Sequence, residues 1–221
     1  MDKFIYYSAL IITVLSFVIS SLVSFRLDYP YHLKFFSLLL GVTALNEVGA
    51  WFLPSVLHQS NNHIWYNIFM AIEFMMYGIY YYLAVSNKKV KNIIKWYLIL
   101  FPLFWFIFVF LVFGFRIWNS YVAITGGFAV ICFSVYYYYQ LFTAPDLVKL
   151  GSSTEFWIAT ALIIFYSGNL PYIGTLNFLM KNYYALAQKV ILAFQILYIL
   201  TYCLFTYAFL CRISTTRSSS R

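Results

Sequence analysis

The chain has 221 residues, of which 64% are hydrophobic and only 9% charged. A soluble domain carries roughly 25% charged residues to hold its hydration shell, so these proportions exclude a water-soluble globular protein and leave lipid as the solvent. The formal charge of +8 is then no nucleic-acid signal, because the basic residues of a membrane protein collect in cytoplasmic loops and meet anionic headgroups.

A bilayer core about 30 Å thick asks for roughly 20 apolar residues per spanning helix. Seven runs meet that length, at 4–25, 33–53, 64–85, 94–113, 118–142, 156–179 and 185–211. They are long and unbroken, without the short alternation of an outer-membrane barrel, so helices are expected. The first run is followed by no A-x-A-like cleavage site and reads as a retained helix. Pro30 and Pro54 punctuate loops on either side of the second run. The fourth run has no charged or amide side chain from Trp96 to Phe115. Ser152 and Glu155 form a capping box ahead of the sixth. Cys132, Cys203 and Cys211 lie inside apolar runs without a spaced motif and read as free thiols. The fold class is therefore all-α: a single seven-helix transmembrane domain over 1–221, ending in a tail at 212–221.

Orientation follows from the basic residues on alternate connections. Arg26, Lys34, Lys88, Lys89, Lys91, Lys95, Lys149, Arg212, Arg217 and Arg221 fall on one side, and Lys3, Arg116, Lys181 and Lys189 on the other. Ten against four sets the N-terminus outside and the C-terminus in the cytoplasm. Tryptophan favours membrane interfaces; Trp51, Trp65 and Trp118 fall at expected outer ends and Trp96 and Trp157 at inner ends.

The plain fourth helix divides the chain into a first triplet (1–93), a linker helix (94–117) and a second triplet (118–211), the 3+1+3 plan of parallel repeats. Asn67 and Glu73 are six apart, as are Lys189 and Gln195. Asn46 precedes Glu73 by 27 positions, and Asn169 precedes Gln195 by 26.

Ionisable groups in hydrocarbon cost about 2.5–3.5 kcal/mol each on insertion scales and are rarely idle. Here Asn46, Glu47, Glu73, Asn169 and Lys189 fall in a band roughly 6–15 Å below the outer surface at 1.5 Å per residue. Asn67 sits above most of that band and Gln195 near its lower edge. Tyr66, Glu73 and Tyr77 share one face of helix three at i, i+7 and i+11, giving Glu73 phenolic neighbours. Asn46, Glu47, Asn67, Glu73, Tyr77, Asn169, Lys189 and Gln195 are the expected ligand-binding residues. In Ser167-Gly168-Asn169-Leu170-Pro171, the proline removes a donor and the glycine loosens the turn. Ser167, Gly168 and Pro171 are thus the expected gate at a helix break. The competing reading is structural: an acid–base pair with amide neighbours also fixes helix packing. His58 and His63 offer two imidazoles in an outer loop and lack a third ligand nearby, so no metal and no cofactor are expected. The chain has no metalloprotease, nucleophile-elbow or phosphate-loop motif, so the reading is non-enzymatic.

The stretches Trp65–Phe74, Glu155–Ile158 and Phe165–Gly168 resemble uncharacterised small seven-helix inner-membrane proteins of AT-rich bacterial genomes. The resemblance implies a bacterial inner membrane and carries no activity. Two functions compete. One is a small-solute transporter, similar in plan to vitamin-precursor and sugar carriers built from parallel triplets. The other is a receptor, sensory subunit or envelope scaffold acting through a cytoplasmic partner protein. The expected partners are the lipid bilayer and a small-molecule or ion ligand, and not nucleic acid.

Overall fold

A computed structural model describes residues 3–57, 63–114, 118–143 and 150–218. His58, Arg116, Lys149 and Arg221 of the preceding section lie outside them. The described residues form seven α-helices and no strand: α1 (Lys3–Arg26), α2 (Tyr31–Leu57), α3 (His63–Ala84), α4 (Lys88–Phe106), α5 (Ser120–Phe142), α6 (Thr154–Asn182) and α7 (Tyr184–Ser218). Beyond Pro102, α4 continues as a π-helix over Ile107–Phe113.

Six of these segments are long and apolar enough to cross a membrane: Tyr7–Arg26, Tyr31–Ala50, Lys88–Phe113, Ser120–Phe142, Thr154–Leu176 and Tyr184–Cys211. The expected seventh, α3, falls outside that set because His63, Asn67, Glu73 and a run of tyrosines lower its hydropathy. The outward surface is that of a protein solvated by lipid. Ile11, Leu45, Ile93, Leu111 and Phe128 are all more than half exposed, whereas water-soluble monomers rarely show large contiguous apolar faces.

Helix packing is cyclic. α1 touches α2, α2 touches α3, α3 touches α5, α5 touches α6, α6 touches α7, and α7 returns to α1. α4 lies outside this ring, against α3 and α5. Small residues bring the ring helices together, as membrane helices require in the absence of a hydrophobic drive between them. On α1 the stripe Thr13, Ser16, Ser20 and Ser24 is fully buried, and Ser24 Oγ lies 3.1 Å from Ser37 Oγ of α2. Gly126 of α5 admits the ring of Phe74 from α3; a Cβ there would come within 2.3 Å of it.

Several expected boundaries shift. Pro54 lies within α2, and α7 runs on to Ser218, so most of the expected tail is helical. Lys88, Lys89, Lys91 and Lys95 occupy the first turns of α4, capped by Asn87, whose side chain accepts from Lys89 N at 2.8 Å. The cap of α6 is Ser153 instead of Ser152. Its Oγ accepts from Phe156 N at 3.2 Å and donates to Glu155 Oε2 at 3.1 Å, because Leu150–Ser152 is taken up by a preceding 3-10 turn. In the turn between α1 and α2, Asp28 has φ 46°. The hydrogen bond and charge of Lys34 hold its exposed carboxyl below the ordinary carboxylate range.

The expected break in α6 is absent. The helix continues through Pro171, since one missing N–H costs a single bond that neighbouring helices compensate. Gly168 serves packing: a Cβ there would meet Leu197 Cδ2 of α7 at 2.7 Å.

Candidate functional site

The ring encloses a cavity of about 930 Å3, within the range of small-molecule sites. Every ring helix contributes to its wall, and no residue of α4 or its π-helical extension does. Helical periodicity selects the lining. On α7 it is the stripe Ile191, Gln195, Tyr198, Tyr202 and Phe205; on α6 it includes Phe165, Tyr166, Asn169, Tyr172 and Ile173. On α3, Tyr66, Met70, Glu73 and Tyr77 face the same space, as spacings of four, seven and eleven dictate.

Two acids stand in this wall, Glu47 of α2 and Glu73 of α3. Tyr77 and Tyr166 stand in the same wall as Glu73, their rings 6.0 Å apart. Asn46 Nδ2 donates to Glu47 Oε1 at 3.4 Å, and Tyr198 lines the same wall. Thr13 Oγ1 of α1 in turn donates to Tyr198 Oη at 3.2 Å. The two carboxylates are close enough for their charges to act on one another. Among the lining residues there is no lysine or arginine. Asn169 is 3% exposed, and its Oδ1 has no hydrogen-bond partner among the described residues. A buried amide oxygen left in that state costs about 1–3 kcal/mol, so a donor is called for at this point of the wall.

The expected site residues divide. Glu47, Glu73, Tyr77, Asn169 and Gln195 line the cavity. Asn46 is buried beside Glu47 without lining it, and its backbone oxygen accepts from Trp65 Nε1 at 3.3 Å. Asn67 is buried toward α4 and α5. Its Oδ1 accepts from Asn119 N at 3.3 Å, and its carbonyl from Trp105 Nε1 at 2.7 Å. Lys189 is exposed and absent from the wall. Residues six apart turn about 600° along a helix and so point about 120° apart. If Gln195 faces inward, Lys189 cannot, and the same geometry separates Asn67 from Glu73. The expected gate residues Ser167, Gly168 and Pro171 are all exposed and none lines the cavity.

The cavity also uses residues that depth arguments overlooked: Thr43, Tyr166, Tyr198, Tyr202 and Trp118. For Tyr166, Tyr198 and Tyr202 the signal was the helical stripe through Asn169 and Gln195, and for Thr43 its four-residue spacing from Glu47. At one end the wall reaches His63, Trp118 and Met180, where α3 and α5 begin and α6 ends. Trp118 Nε1 is a buried donor without a partner among the described residues.

The opposite end is sealed. Phe36 is fully buried, with ring centroids 5.0 Å from Tyr80, 5.1 Å from Phe205 and 6.4 Å from Phe209. Polar contacts tie the same end together. His32 Nε2 of α2 meets Glu155 Oε1 of α6 at 3.2 Å, Tyr81 Oη lies 2.6 Å from Ser134 Oγ, and Tyr29 Oη donates to the Phe209 carbonyl at 3.1 Å.

Compared with known proteins, the chain matches no family model, no curated protein and no solved structure. Among the described residues no group of three or more His, Cys, Asp and Glu gathers to hold a metal ion. Cys132 and Cys203 are exposed free thiols and Cys211 a buried one.

Proposed function

We propose that this chain is a seven-span protein of a bacterial inner membrane that binds a small solute in the ring cavity and carries it across the bilayer. The observation that carries the reading is the cavity itself: six helices converge on it, two carboxylates and an unpartnered amide oxygen line it, and aromatic rings pack across one of its ends. The open end faces outward on this reading, because the ends of α1, α3 and α7 near the lysine-poor side meet there. The seal faces the cytoplasm, beside Lys34 and the lysines of α4.

The third helix is read as a span because it completes the ring between α2 and α5. The 3+1+3 plan draws support from two features. Rotating the ring by half a turn exchanges α1, α2 and α3 with α5, α6 and α7 and leaves every neighbour relation unchanged. Positions 123 apart also correspond: His32 with Glu155, which meet at the seal, and Asn46 with Asn169, both holding an unpartnered Oδ1 among the described residues.

A receptor is the second reading, favoured by the depth of the aromatic seal: such a pocket binds from outside and transmits a helix shift to a cytoplasmic partner. A thermal-shift screen of the purified protein against a metabolite library tests the binding step. Compounds are expected to stabilise the native protein and Lys189→Met but not Glu73→Gln. The reading falls if nothing stabilises the native protein, or if both variants respond as it does. Uptake of a hit into proteoliposomes then assigns carriage; binding without uptake assigns the receptor.

A further inference from the structure

The reading of the cavity as a solute site leaves open what the solute is, and the inference here rests on that reading. We propose that the ligand is an organic monocation of the primary-amine class, with its ammonium group between Glu73, Glu47 and Asn169 and an apolar or aromatic body against the surrounding rings.

The two carboxylates and the unpartnered amide oxygen of Asn169 in the wall are all acceptors. Asn169 Oδ1 has no donor among the described residues, and the lining residues include no lysine or arginine. Two acids without a lysine or arginine in the same wall, inside a largely apolar enclosure, favour a cationic guest over a neutral or anionic one, because an unpaired charge removed from water is costly. An ammonium offers three N–H donors, matching the three acceptor groups. A quaternary ammonium offers none and would leave Asn169 unsatisfied.

The walls around these acceptors are aromatic. Tyr77 and Tyr166 stand 6.0 Å apart, centroid to centroid, in an edge-on pair beside Glu73. Tyr198 and Tyr202 lie 4.5 Å apart beside Glu47. Phe165 and Phe194, 5.8 Å apart, continue the surface along α6 and α7. Aromatic faces attract cations when these come within about 6 Å of the ring centre, and they also bury the body of the guest. A bare metal ion uses neither property: it leaves most of a 930 Å3 cavity unfilled, and among the described residues no group of three or more His, Cys, Asp and Glu gathers to hold one.

The test measures equilibrium binding of three probes of one shape to the full chain in nanodiscs: 2-phenylethylamine, 2-phenylethanol and 3-phenylpropionate. The amine is expected to bind at least about tenfold tighter than the alcohol, as one charge-assisted hydrogen bond provides, and the acid not to bind. Glu73→Gln should lower amine affinity about tenfold and leave the alcohol unchanged, with Lys189→Met as the folded control. Asn169→Ala should reduce the preference for the primary amine over its trimethylammonium analogue, a change that a merely structural Asn169 would not produce. If the alcohol or acid binds as well as the amine, the cation class is overturned and the cavity reading stands. If none of the three binds and a wider library also fails to stabilise the protein, both are overturned.

Discussion

Gly126 and Gly168 both lie where ring helices touch, yet their neighbours differ in kind. A Cβ on Gly126 would run into the ring of Phe74 at 2.3 Å, whereas one on Gly168 would meet only the Cδ2 tip of Leu197 at 2.7 Å. Phe74 is itself held between Phe101 and Tyr166, with centroids 5.7 Å away on either side, and has nowhere to retreat but the cavity. Gly126→Ala is therefore expected to cost about 1–3 kcal/mol of stability as an overpacked site. Gly168→Ala should be nearly neutral because Leu197 can change rotamer. Thermal unfolding of the two purified variants checks the contrast, and equal losses would contradict it. At this scale the sequence was informative about which polar residues matter and weak on where they point. Depth alone grouped Glu47, Glu73 and Asn169 correctly with the cavity, but it also admitted Lys189 and Asn67. Those two could have been set aside by rotation, since a six-residue spacing cannot place both members of a pair on one helix face.

Between elements, the contact at the seal that pairs two ionisable side chains joins His32 at the start of α2 to Glu155 at the start of α6. Both side chains are mostly buried, at 18% and 16% exposure, and Glu155 is further tied to the cap of its own helix by Ser153. Removing one partner of such a pair strands the other, at a cost of about 1–3 kcal/mol. His32→Ala is expected to lower the melting temperature and, in a carrier, to raise the leak through the cytoplasmic end, measured as faster downhill uptake into proteoliposomes. A variant as stable and as tight as the native chain would remove His32 from the account of the seal. Most helix positions were legible from apolar run length, because lipid leaves the chain few alternatives. The ends were less so: Pro54 and the segment beyond Cys211 are polar or helix-breaking by composition but continue helices, and Pro171 marks no break. At each proline one lost backbone bond is small against the continuing ladder.

For the whole molecule, the closed ring of α1, α2, α3, α5, α6 and α7 with α4 outside explains why the fourth run is plain. Among the described residues it packs mainly against α3 and α5 and does not line the cavity, so its residues need satisfy only lipid and packing. The sequence foretold that separation through the missing amides and charges. It could not foretell the ring, because neighbour relations among helices depend on which faces carry small residues in three dimensions. The central claim is that water and solute reach the middle of this ring from the outer face alone. Thr43 tests it well: it lines the cavity deep on α2 and is 2% exposed. In a chain whose three native cysteines are replaced, Thr43→Cys should react with a membrane-impermeant, cationic thiol reagent added to intact cells. It should not react in inverted vesicles. Labelling from the cytoplasmic face, or none from either, would contradict the account.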